Sequence, residues 1–469
     1  MRLLQAATIT LELEMGAYAS IGPAATLNII NKDIAPDGYT RSTVLAGGIF
    51  PGPVISGTKG SNFRINVVNQ LTDITVHKTT SIHWHGVYQK GTNWADGPAL
   101  VTQCPIASGN SFLYDSNVPD QAGTYWYHSH LKTQYCDGLR GAFVVYDPND
   151  PHKVSMTWIT TIPLSLSPTG KYHVYLILLL NTLGSTLVNG LGRYPLEPKS
   201  PPAVVNVVKG KIYRLRLISI SCNPNFAFST DDHELIVIEV DGVNVHSVVV
   251  DSLRIFAGQR YSVILNANQD VKNYWIRANP SPLGPQGFLG GLNSAVLCYA
   301  GAPEEDRSTA LPDLFPNMLK ETGLHPLSNE PAPGKPHING ADVSYNLAID
   351  FNPLTFKFKV NGATYDPPTV PVLLQILSEA VNPSDLMPAN SIHPLPKNKV
   401  IQPSIPAGVT SSVVGAPHSF HLHGHHFHAT HSAGSFDYNY ENPVIRDVVS
   451  TGVIGDNLTI RYRTDNSGL

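Results

Sequence analysis

Charged residues are scarce in this chain, and no stretch of like charge stands out. They make up 14% of the 469 residues, and 31 basic against 35 acidic side chains leave a formal net charge of −4. Such a balance gives no reason to expect nucleic-acid binding. Long apolar runs are missing as well: the longest, residues 174–180, is far shorter than the ~20 residues that a membrane helix needs. The sequence therefore predicts neither a nucleic-acid partner nor a membrane span.

Turn-forming residues are abundant, with 38 glycines and 38 prolines. Between them lie short β-rich runs, such as the alternating segment at residues 63–68 and the apolar segment at residues 141–146. The spacing of these runs favours Greek-key sandwiches or barrels over βαβ units. The length suits about two to four domains. The sequence therefore predicts an all-β protein built from several domains.

Two stretches mark candidate domain boundaries. The turn-rich D-P-N-D-P at residues 147–151 predicts the end of a first domain. Residues 301–336, which are rich in proline and poor in β-branched residues, predict a linker. We therefore expect domains at residues 20–150, 151–300 and 301–469, with the linker at the start of the last.

Seven histidines in three short clusters carry most of the chemical signal. The clusters are H-W-H-G at residues 83–86, H-S-H at residues 128–130 and H-S-F-H-L-H-G at residues 418–424. Histidines two apart on an extended strand point their rings to one side, so each pair can serve one site. Neutral imidazole suits copper, zinc, iron and nickel. One such pair arises easily by chance, but three pairs together predict a metal centre.

The motifs around these clusters resemble those of fungal laccases, which are blue multicopper oxidases. The resemblance runs from about residue 21 to residue 469, with a divergent gap at residues 162–183. Besides the histidine clusters, it rests on T-N-W-A-D-G-P (92–98), G-T-Y-W-Y-H-S-H (123–130), Q-Y-C-D-G-L-R-G (134–141), D-S-L-R-I-F-A-G-Q-R-Y (251–261), Y-W-I-R-A-N-P (274–280), P-P-T-V-P-V-L-L-Q (367–375), Y-N-Y-E-N-P (438–443) and R-D-V-V-S-T-G (446–452). It implies three cupredoxin-like β-domains, of which the third is incomplete.

The resemblance also implies copper as the cofactor, with four ions in the family's full complement. Carried over by motif, His83 and His421 would bind the type 2 copper, and His418 would belong to the type 1 site. Four histidines would serve the type 3 pair: His85, His128, His130 and His423.

Three further residues receive roles from the same resemblance. Asp96 would be the acid near the oxygen-binding cluster, where it relays protons or orients a ligand; an Asp-Gly turn is the alternative. Asp231 resembles the carboxylate that accepts a hydrogen bond from a phenol or an aromatic amine, although Asp232 replaces a usual glycine. Phe288 would form an apolar wall of that pocket, with plain packing as the alternative.

The activity that the resemblance implies is that of a laccase. Phenols and aromatic amines lose one electron at a time, and dioxygen is reduced by four electrons to water, in the breakdown of lignin or other phenolic material. We expect a monomer that works with these small molecules and dioxygen. Another multicopper oxidase, acting on ferrous iron or ascorbate, is an alternative. A zinc hydrolase is disfavoured because the sequence has no H-E-x-x-H.

One family motif is not found in the sequence. Laccases follow a segment like residues 463–469 with H-C-H-x-x-x-H, which supplies the type 1 cysteine and completes the type 3 pair. The sequence ends at Leu469, before this motif. A second alternative is therefore a catalytically inactive copper-binding remnant that lacks the type 1 site.

Signals for the extracellular space are present but uneven. Residues 1–19 combine Arg2, an apolar stretch and a terminal A-Y-A that fits a cleavage site, although Glu12 and Glu14 interrupt the pattern. We expect a secreted protein, and Asn457 begins the N-L-T sequon where a glycan would attach.

The four cysteines allow more than one pairing. By the resemblance, Cys136 and Cys222 form a disulfide that ties the first domain to the second. A bridge between Cys104 and Cys298 is arithmetically possible, but spacing alone does not establish it.

Further histidines follow the third cluster. We expect His425 to serve packing or hydrogen bonding, and surface or strand positions to explain His426, His428 and His431.

Overall fold

The computed structural model describes residues 20–152, 158–167 (backbone only), 185–194, 200–222, 225–281, 286–303, 317–352, 354–355, 357–379, 382–388, 390–407 and 417–466. The predicted leader at residues 1–19, and residues 168–183 of the divergent stretch, lie outside this set. Strands dominate the regular structure of the described residues, which confirms the all-β prediction. None of the described helices is long and apolar enough to cross a membrane.

The first unit, residues 24–146, consists of two four-stranded sheets. Its strands are β1 (Ala24–Ile34), β2 (Arg41–Ala46), β3 (Gly52–Thr58), β4 (Asn62–Asn69), β5 (Ile82–His85), β6 (Ser111–Asn117), β7 (Gly123–Ser129) and β8 (Arg140–Tyr146). The sheets have the orders β2-β1-β4-β6 and β3-β8-β7-β5. Strand β4 alternates buried and more exposed residues, as its sequence predicts, and turns Phe63, Ile65 and Val67 into the core between the sheets.

The second unit, residues 158–299, pairs a seven-stranded sheet with a five-stranded sheet. Its strands are β9 (Trp158–Ser167), β10 (Ser185–Val188), β11 (Leu191–Gly192), β12 (Val204–Val207), β13 (Ile212–Ser219), β14 (Asn225–Thr230), β15 (Leu235–Val240), β16 (Val243–Val250), β17 (Ser252–Phe256), β18 (Arg260–Asn266), β19 (Asn273–Pro280) and β20 (Ser294–Tyr299). The orders are β11-β10-β9-β13-β18-β15-β16 and β12-β20-β19-β14-β17. The start of the divergent stretch, residues 162–167, thus occupies a strand position inside the larger sheet.

The third unit, residues 343–463, has a five-stranded sheet of order β21-β24-β29-β26-β27 and two small pairs, β22-β23 and β25-β28. Its elements are β21 (Val343–Asn346), β22 (Ile349–Asn352), β23 (Lys357–Val360), helix α1 (Val372–Leu377), β24 (Val400–Pro406), β25 (Ser419–His421), β26 (Phe427–His431), β27 (Ile445–Arg446), β28 (Val448–Ser450) and β29 (Asn457–Arg463). Short 3-10 turns lie at Asn93–Ala95, Gln134–Asp137, Leu289–Gly291, Glu321–Gly323 and Pro383–Asp385.

No sheet of the described residues mixes strands from two units, but the units pack closely. One apolar core contains residues of both the second and the third unit. A smaller cluster joins the first unit to the second through Trp126, Ala142, Ile218 and Ile220. The predicted linker runs along the second unit, where Met318 and Pro326 form β-bridges with Ser252 and Val245.

The predicted disulfide between Cys136 and Cys222 is present, with Cα atoms 5.9 Å apart. It links the first unit to the second, as expected. No disulfide joins Cys104 to Cys298, so the arithmetically possible bridge between them does not form.

Candidate metal centre

Antiparallel pairing of β5 with β7 brings the first two histidine clusters together. In this register His83 lies opposite His128. The ring centroids of His83 and His128 are 5.3 Å apart, and those of His83 and His130 are 5.5 Å apart. The centroids of His83 and His85 are also 5.5 Å apart. Two H-x-H motifs that are distant in sequence thus form one group of four imidazoles.

The third unit adds two more imidazoles to this group. The ring of His421, at the end of β25, stacks on His85 with centroids 3.7 Å apart. The ring of His423, in the turn that follows, lies 4.0 Å from that of His83. Six of the seven predicted histidines therefore meet at the junction of the first and third units.

His418 makes none of these ring contacts within the described residues. Its carbonyl accepts a hydrogen bond from the backbone N–H of Thr451, at 2.9 Å. Its Nε2 is buried and has no hydrogen-bond partner. His418 is thus placed just before β25, separate from the six-histidine cluster.

Asp96 orients one histidine from each side of the junction. The Nδ1 of His83 donates to the Asp96 carbonyl, and the Nδ1 of His423 donates to the Asp96 carboxylate, both at 2.8 Å. Since Nδ1 is engaged in each case, the opposite nitrogen, Nε2, is left for another ligand. The fold thus uses one aspartate to fix the orientation of two imidazoles.

Asp447 repeats this arrangement from the third unit. Its carbonyl accepts a hydrogen bond from the Nδ1 of His421 at 2.8 Å, and its carboxylate Oδ1 lies 3.6 Å from the Nε2 of His85. Each aspartate therefore holds a histidine of its own unit through the carbonyl and faces a histidine of the other unit with the carboxylate. His128 is fixed separately, because its Nδ1 donates to the Ser129 carbonyl at 2.8 Å.

The nitrogen atoms that remain fit a metal ion. The Nε2 atoms of His83 and His421 are buried without a hydrogen-bond partner, an arrangement that costs free energy unless another ligand satisfies them. Among the described residues, two groups offer ligand atoms that all lie within 4.8 Å of one another: His83, His85 and His421, and His83, Asp96 and His423. A donor set dominated by imidazole suits copper.

Burial favours the neutral form of several of these imidazoles, which is the form that binds metal. It lowers the pKa of His85, His128 and His421 well below the ordinary value, with neighbouring histidines adding to the effect. It lowers the pKa of His130 to about 3. Burial alone would raise the pKa of the Asp96 carboxyl, but the adjacent His83 and His423 hold it well below its usual range. The cluster therefore combines neutral imidazoles with an ionised carboxylate.

Gly97 lets the Asp96 loop lie directly against β5. Its φ is +98°, and a Cβ atom at this position would collide with the carbonyl of Ile82. Only glycine adopts this backbone conformation without strain next to so close a neighbour. The A-D-G turn is thus present, and it is also what presents the Asp96 carbonyl and carboxylate to His83 and His423.

The extra histidines of the third cluster are largely buried. His428 and His431 lie in β26, as the strand alternative predicts, and are 8% and 9% exposed. The side chain of His426 is also 8% exposed, so surface positions are wrong for all three. The Nδ1 of His425 faces the His423 carbonyl at 3.3 Å, in keeping with hydrogen bonding. His425, His426 and His428 line a cavity of about 280 Å³ that also borders Tyr88 and Glu330.

Asp231 is engaged by a neighbouring cation. Both of its carboxylate oxygens accept hydrogen bonds from Arg277, from Nε at 2.6 Å and from Nη2 at 2.8 Å. The guanidinium of Arg277 in turn lies 4.7 Å from the ring centroid of Phe288. The structure thus brings Asp231 and Phe288 to one place, and Arg277 stands between them. The Asp231 side chain is 14% exposed.

Comparison with known proteins identifies the family of this chain. Three multicopper oxidase family models match residues 28–150, 169–302 and 365–469. Laccase-2 of Pleurotus ostreatus is 54% identical over 481 residues, covering 100% of this chain and 89% of that protein. The laccase of Trametes hirsuta is 54% identical and covers 98% of this chain and 88% of its own length. This chain belongs to the laccases, within the multicopper oxidase family.

Solved structures agree with this membership in a laccase family. The laccase of Botrytis aclada matches with a TM-score of 0.79 at 28% identity, covering 96% of this chain and 84% of that one. The cupredoxin-like all-β fold predicted from the sequence is therefore confirmed. Copper is the cofactor of these enzymes, and the six-histidine cluster is compatible with it.

Nothing in the sequence singles out Asp447 and Arg260 as site residues, yet both lie beside the laccase histidines. Arg260 donates two hydrogen bonds to the Asp447 carboxylate, at 2.5 and 2.6 Å. Both residues stand in motifs quoted for the family resemblance, at residues 251–261 and 446–452. Each of these motifs shows a charged residue among apolar strand residues, and this was the available signal. The neighbouring sequence does not show which side chain the charged residue pairs with.

Proposed function

We propose that this chain oxidises phenols and aromatic amines by one electron at a time and reduces dioxygen to water. In balanced form, four phenol molecules each lose one electron and one proton, and one dioxygen takes up four of each to give two waters. Bound copper would supply the electron transfer and the reduction of dioxygen, which protein side chains do not perform by themselves. The proposal is carried by the six imidazoles that converge across the junction of the first and third units.

The histidines would hold the metal in the roles that the laccase resemblance implies. His83 and His421 would bind the type 2 copper, and both have an Nε2 without a hydrogen-bond partner. Four others would serve the type 3 pair, namely His85, His128, His130 and His423. His418, which lies apart from these six, would belong to the type 1 site.

Asp96 would orient two of these histidines and stay ionised beside them. Its carboxylate accepts a hydrogen bond from His423, and its carbonyl accepts one from His83. A carboxylate at this position can also pass on protons, which the reduction of dioxygen consumes.

Asp231 would receive the phenol or aromatic amine, with Phe288 as an apolar wall. Each carboxylate oxygen has two lone pairs, so Asp231 can accept from a substrate hydroxyl while Arg277 holds it in place. The bidentate pair would fix the direction of the acceptor.

We also propose that the protein is secreted as a monomer and acts on small phenols outside the cell. Secretion is supported by the laccase relatives and by the pattern of residues 1–19. Asn457 would carry a glycan: it is half-buried at the start of β29, two residues after the exposed residues 453–455. Three domains at residues 20–150, 151–300 and 301–469 are in keeping with the sheet arrangement.

Oxygen uptake by the copper-loaded protein from the native transcript would test the proposed function. A phenol, ferrous iron and ascorbate should be compared at equal concentration, with copper content measured on the same samples. We expect the phenol to give the highest kcat/KM. Preference for ferrous iron or ascorbate would indicate a different multicopper oxidase activity, and bound copper without oxygen uptake would indicate an inactive copper-binding protein.

A further inference from the structure

Four charged residues form a fully buried network beside the histidine cluster. They are Asp241, Arg260, Arg446 and Asp447, all of which are at most 1% exposed. Arg260 pairs with Asp447 at 2.5 Å and lies 3.7 Å from Asp241, and Arg446 pairs with Asp241 at 3.0 Å. Removing four charges from water costs several kcal/mol per ion, which the pairs only partly offset. Fold stability alone therefore does not explain why these four charges are buried together.

Only one member of this network faces the candidate copper ligands. The Asp447 carboxylate Oδ1 lies 3.6 Å from both the Nε2 of His85 and the Nδ1 of His421. Its other oxygen, Oδ2, lies 3.4 Å from the Nε2 of His426. Asp241 is equally buried and shares Arg260, but its contacts are with backbone and arginine groups.

Arg260 fixes the Asp447 carboxylate from the opposite side. It donates one hydrogen bond to each oxygen, which sets both the position and the plane of the carboxylate. Arg260 is itself held by all three units: its Nε donates to the Thr124 carbonyl at 3.0 Å, and its backbone N–H donates to Asp241 at 2.8 Å. The carboxylate thus has a fixed place relative to the first unit, where His85 lies.

Gly86 makes this close approach possible. It follows His85 with φ of +90°, and a Cβ atom there would lie 2.5 Å from Arg260 Nη2 and 2.7 Å from Asp447 Oδ2. Any larger residue would push the guanidinium and the carboxylate apart. The glycine of the H-W-H-G motif therefore serves the Arg260–Asp447 pair, which the motif alone does not reveal.

We propose that Arg260 and Asp447 are a positioning pair for the copper ligands His85 and His421. Through this pair, the second unit orients imidazoles that belong to the first and third units. The Asp447 carboxylate faces the Nε2 of His85 and the Nδ1 of His421, which leaves the buried Nε2 of His421 for the metal. The inference rests on the proposed function, because it takes the histidine cluster to be a copper centre.

The test compares three variants of the copper-loaded protein. Asp447→Asn and Arg260→Lys change the positioning pair, while Arg446→Lys changes an equally buried member of the network whose side chain contacts neither of them and faces no histidine. Copper affinity, the electron paramagnetic resonance spectrum of bound Cu(II) and the melting temperature are measured for all three. Lysine keeps the charge of Arg260 but loses its two parallel hydrogen bonds, so this variant decides the question if Asp447→Asn does not fold.

We expect Asp447→Asn and Arg260→Lys to weaken copper binding by about 10- to 100-fold and to alter the spectrum. The Arg446→Lys variant should lower the melting temperature but leave the spectrum of bound copper unchanged. An equal spectral change in Arg446→Lys, or an unchanged spectrum in Arg260→Lys, would overturn the positioning role. Copper binding by the parent without oxygen uptake would refute the proposed activity alone, and a parent that binds no copper would refute both.

Discussion

The histidine cluster and the corner formed by Asp231, Arg277 and Phe288 both place polar side chains where a ligand is expected. They differ in what those side chains already bind. In the cluster, His83 and His421 each keep a buried nitrogen without a hydrogen-bond partner. In the corner, both oxygens of Asp231 accept hydrogen bonds from Arg277. A metal site therefore shows itself through unsatisfied atoms, whereas a substrate acceptor can be held by the protein before any substrate arrives.

The two regions also differ in how many parts of the chain they need. The cluster is assembled from the first and third units, with a positioning pair that reaches into the second. The corner lies within the second unit, where β14 and β19 are neighbours in one sheet. Loss of the cluster should therefore abolish copper binding, while changes in the corner should alter substrate use alone.

Replacing a histidine at the centre of the cluster should have the largest effect. His421→Ala removes a ligand from the group formed with His83 and His85. We expect copper affinity to fall by more than about 100-fold, because a ligand is lost rather than reoriented. Copper content after dialysis measures this. His246→Ala, which removes an exposed imidazole, is the control; equal copper retention by both variants would contradict the assignment.

Removing the carboxylate that holds His423 should have the next largest effect. Asp96→Ala eliminates the acceptor for the His423 Nδ1 but keeps the carbonyl that holds His83. We expect copper affinity to fall by about 10- to 100-fold. Titration of the copper-free protein with copper measures the change, and Asp115→Ala, at an exposed ion pair with Arg64, serves as the control. An unchanged affinity would mean that Asp96 is only a turn residue.

A change in the corner should leave copper untouched. Asp231→Asn keeps the shape of the side chain but removes its charge, so a substrate hydroxyl loses a charge-assisted hydrogen bond. Such bonds contribute about 1.5–3 kcal/mol, and we expect KM for a phenol to rise about tenfold or more. Steady-state kinetics and copper content are measured together, with Asp232→Asn as the exposed neighbour control. A normal KM would rule out Asp231 as the acceptor.

Acid should destabilise the copper-free cluster by a smaller, graded amount. Burial lowers the pKa of His85, His128 and His421, and that of His130 to about 3, below the value of about 6.5 in the unfolded chain. Below pH 6.5 the unfolded chain therefore binds more protons than the folded one. The free energy of unfolding should fall as pH decreases from about 6.5 toward 3, by up to about 1.4 kcal/mol per pH unit for each imidazole.

Chemical denaturation of the copper-free protein at pH 7, 6, 5 and 4 measures this dependence. Glu239 contributes to the pH dependence of stability in a lower pH range. Burial would raise the pKa of its carboxyl, but Arg214 and Arg216 lower that pKa to about 2. Its stabilising effect is present above about pH 4.5 and is lost only as pH falls toward 2. Stability that stays constant between pH 7 and pH 5 would contradict the burial of neutral imidazoles.

Much of the cluster could be predicted because its ligands stand in short motifs. Histidines two apart on a strand share a face, so each H-x-H motif by itself places its two rings on one side of the strand. The register that places His83 opposite His128 is set by pairing across the sheet. The family resemblance assigned six histidines to the type 2 and type 3 sites and His418 to the type 1 site, and the structure brings those six together with His418 apart from them.

The rest depended on contacts between distant parts of the chain. Arg260 and Asp447 are 187 positions apart, and Asp231 and Arg277 are 46 apart. For both pairs, the neighbouring sequence does not indicate which residue the side chain contacts. The burial of His428 and His431 within their strand has a similar cause, since β26 lies between β29 and β27 in its sheet and its side chains are buried there.

Anomalous diffraction at the copper absorption edge from crystals of the copper-loaded protein tests the central claim most directly. We expect copper peaks among His83, His85, His128, His130, His421 and His423, with the Nε2 atoms of His83 and His421 directed at them. Peaks only beside His425, His426 and His428, or no copper at the junction of the first and third units, would contradict it.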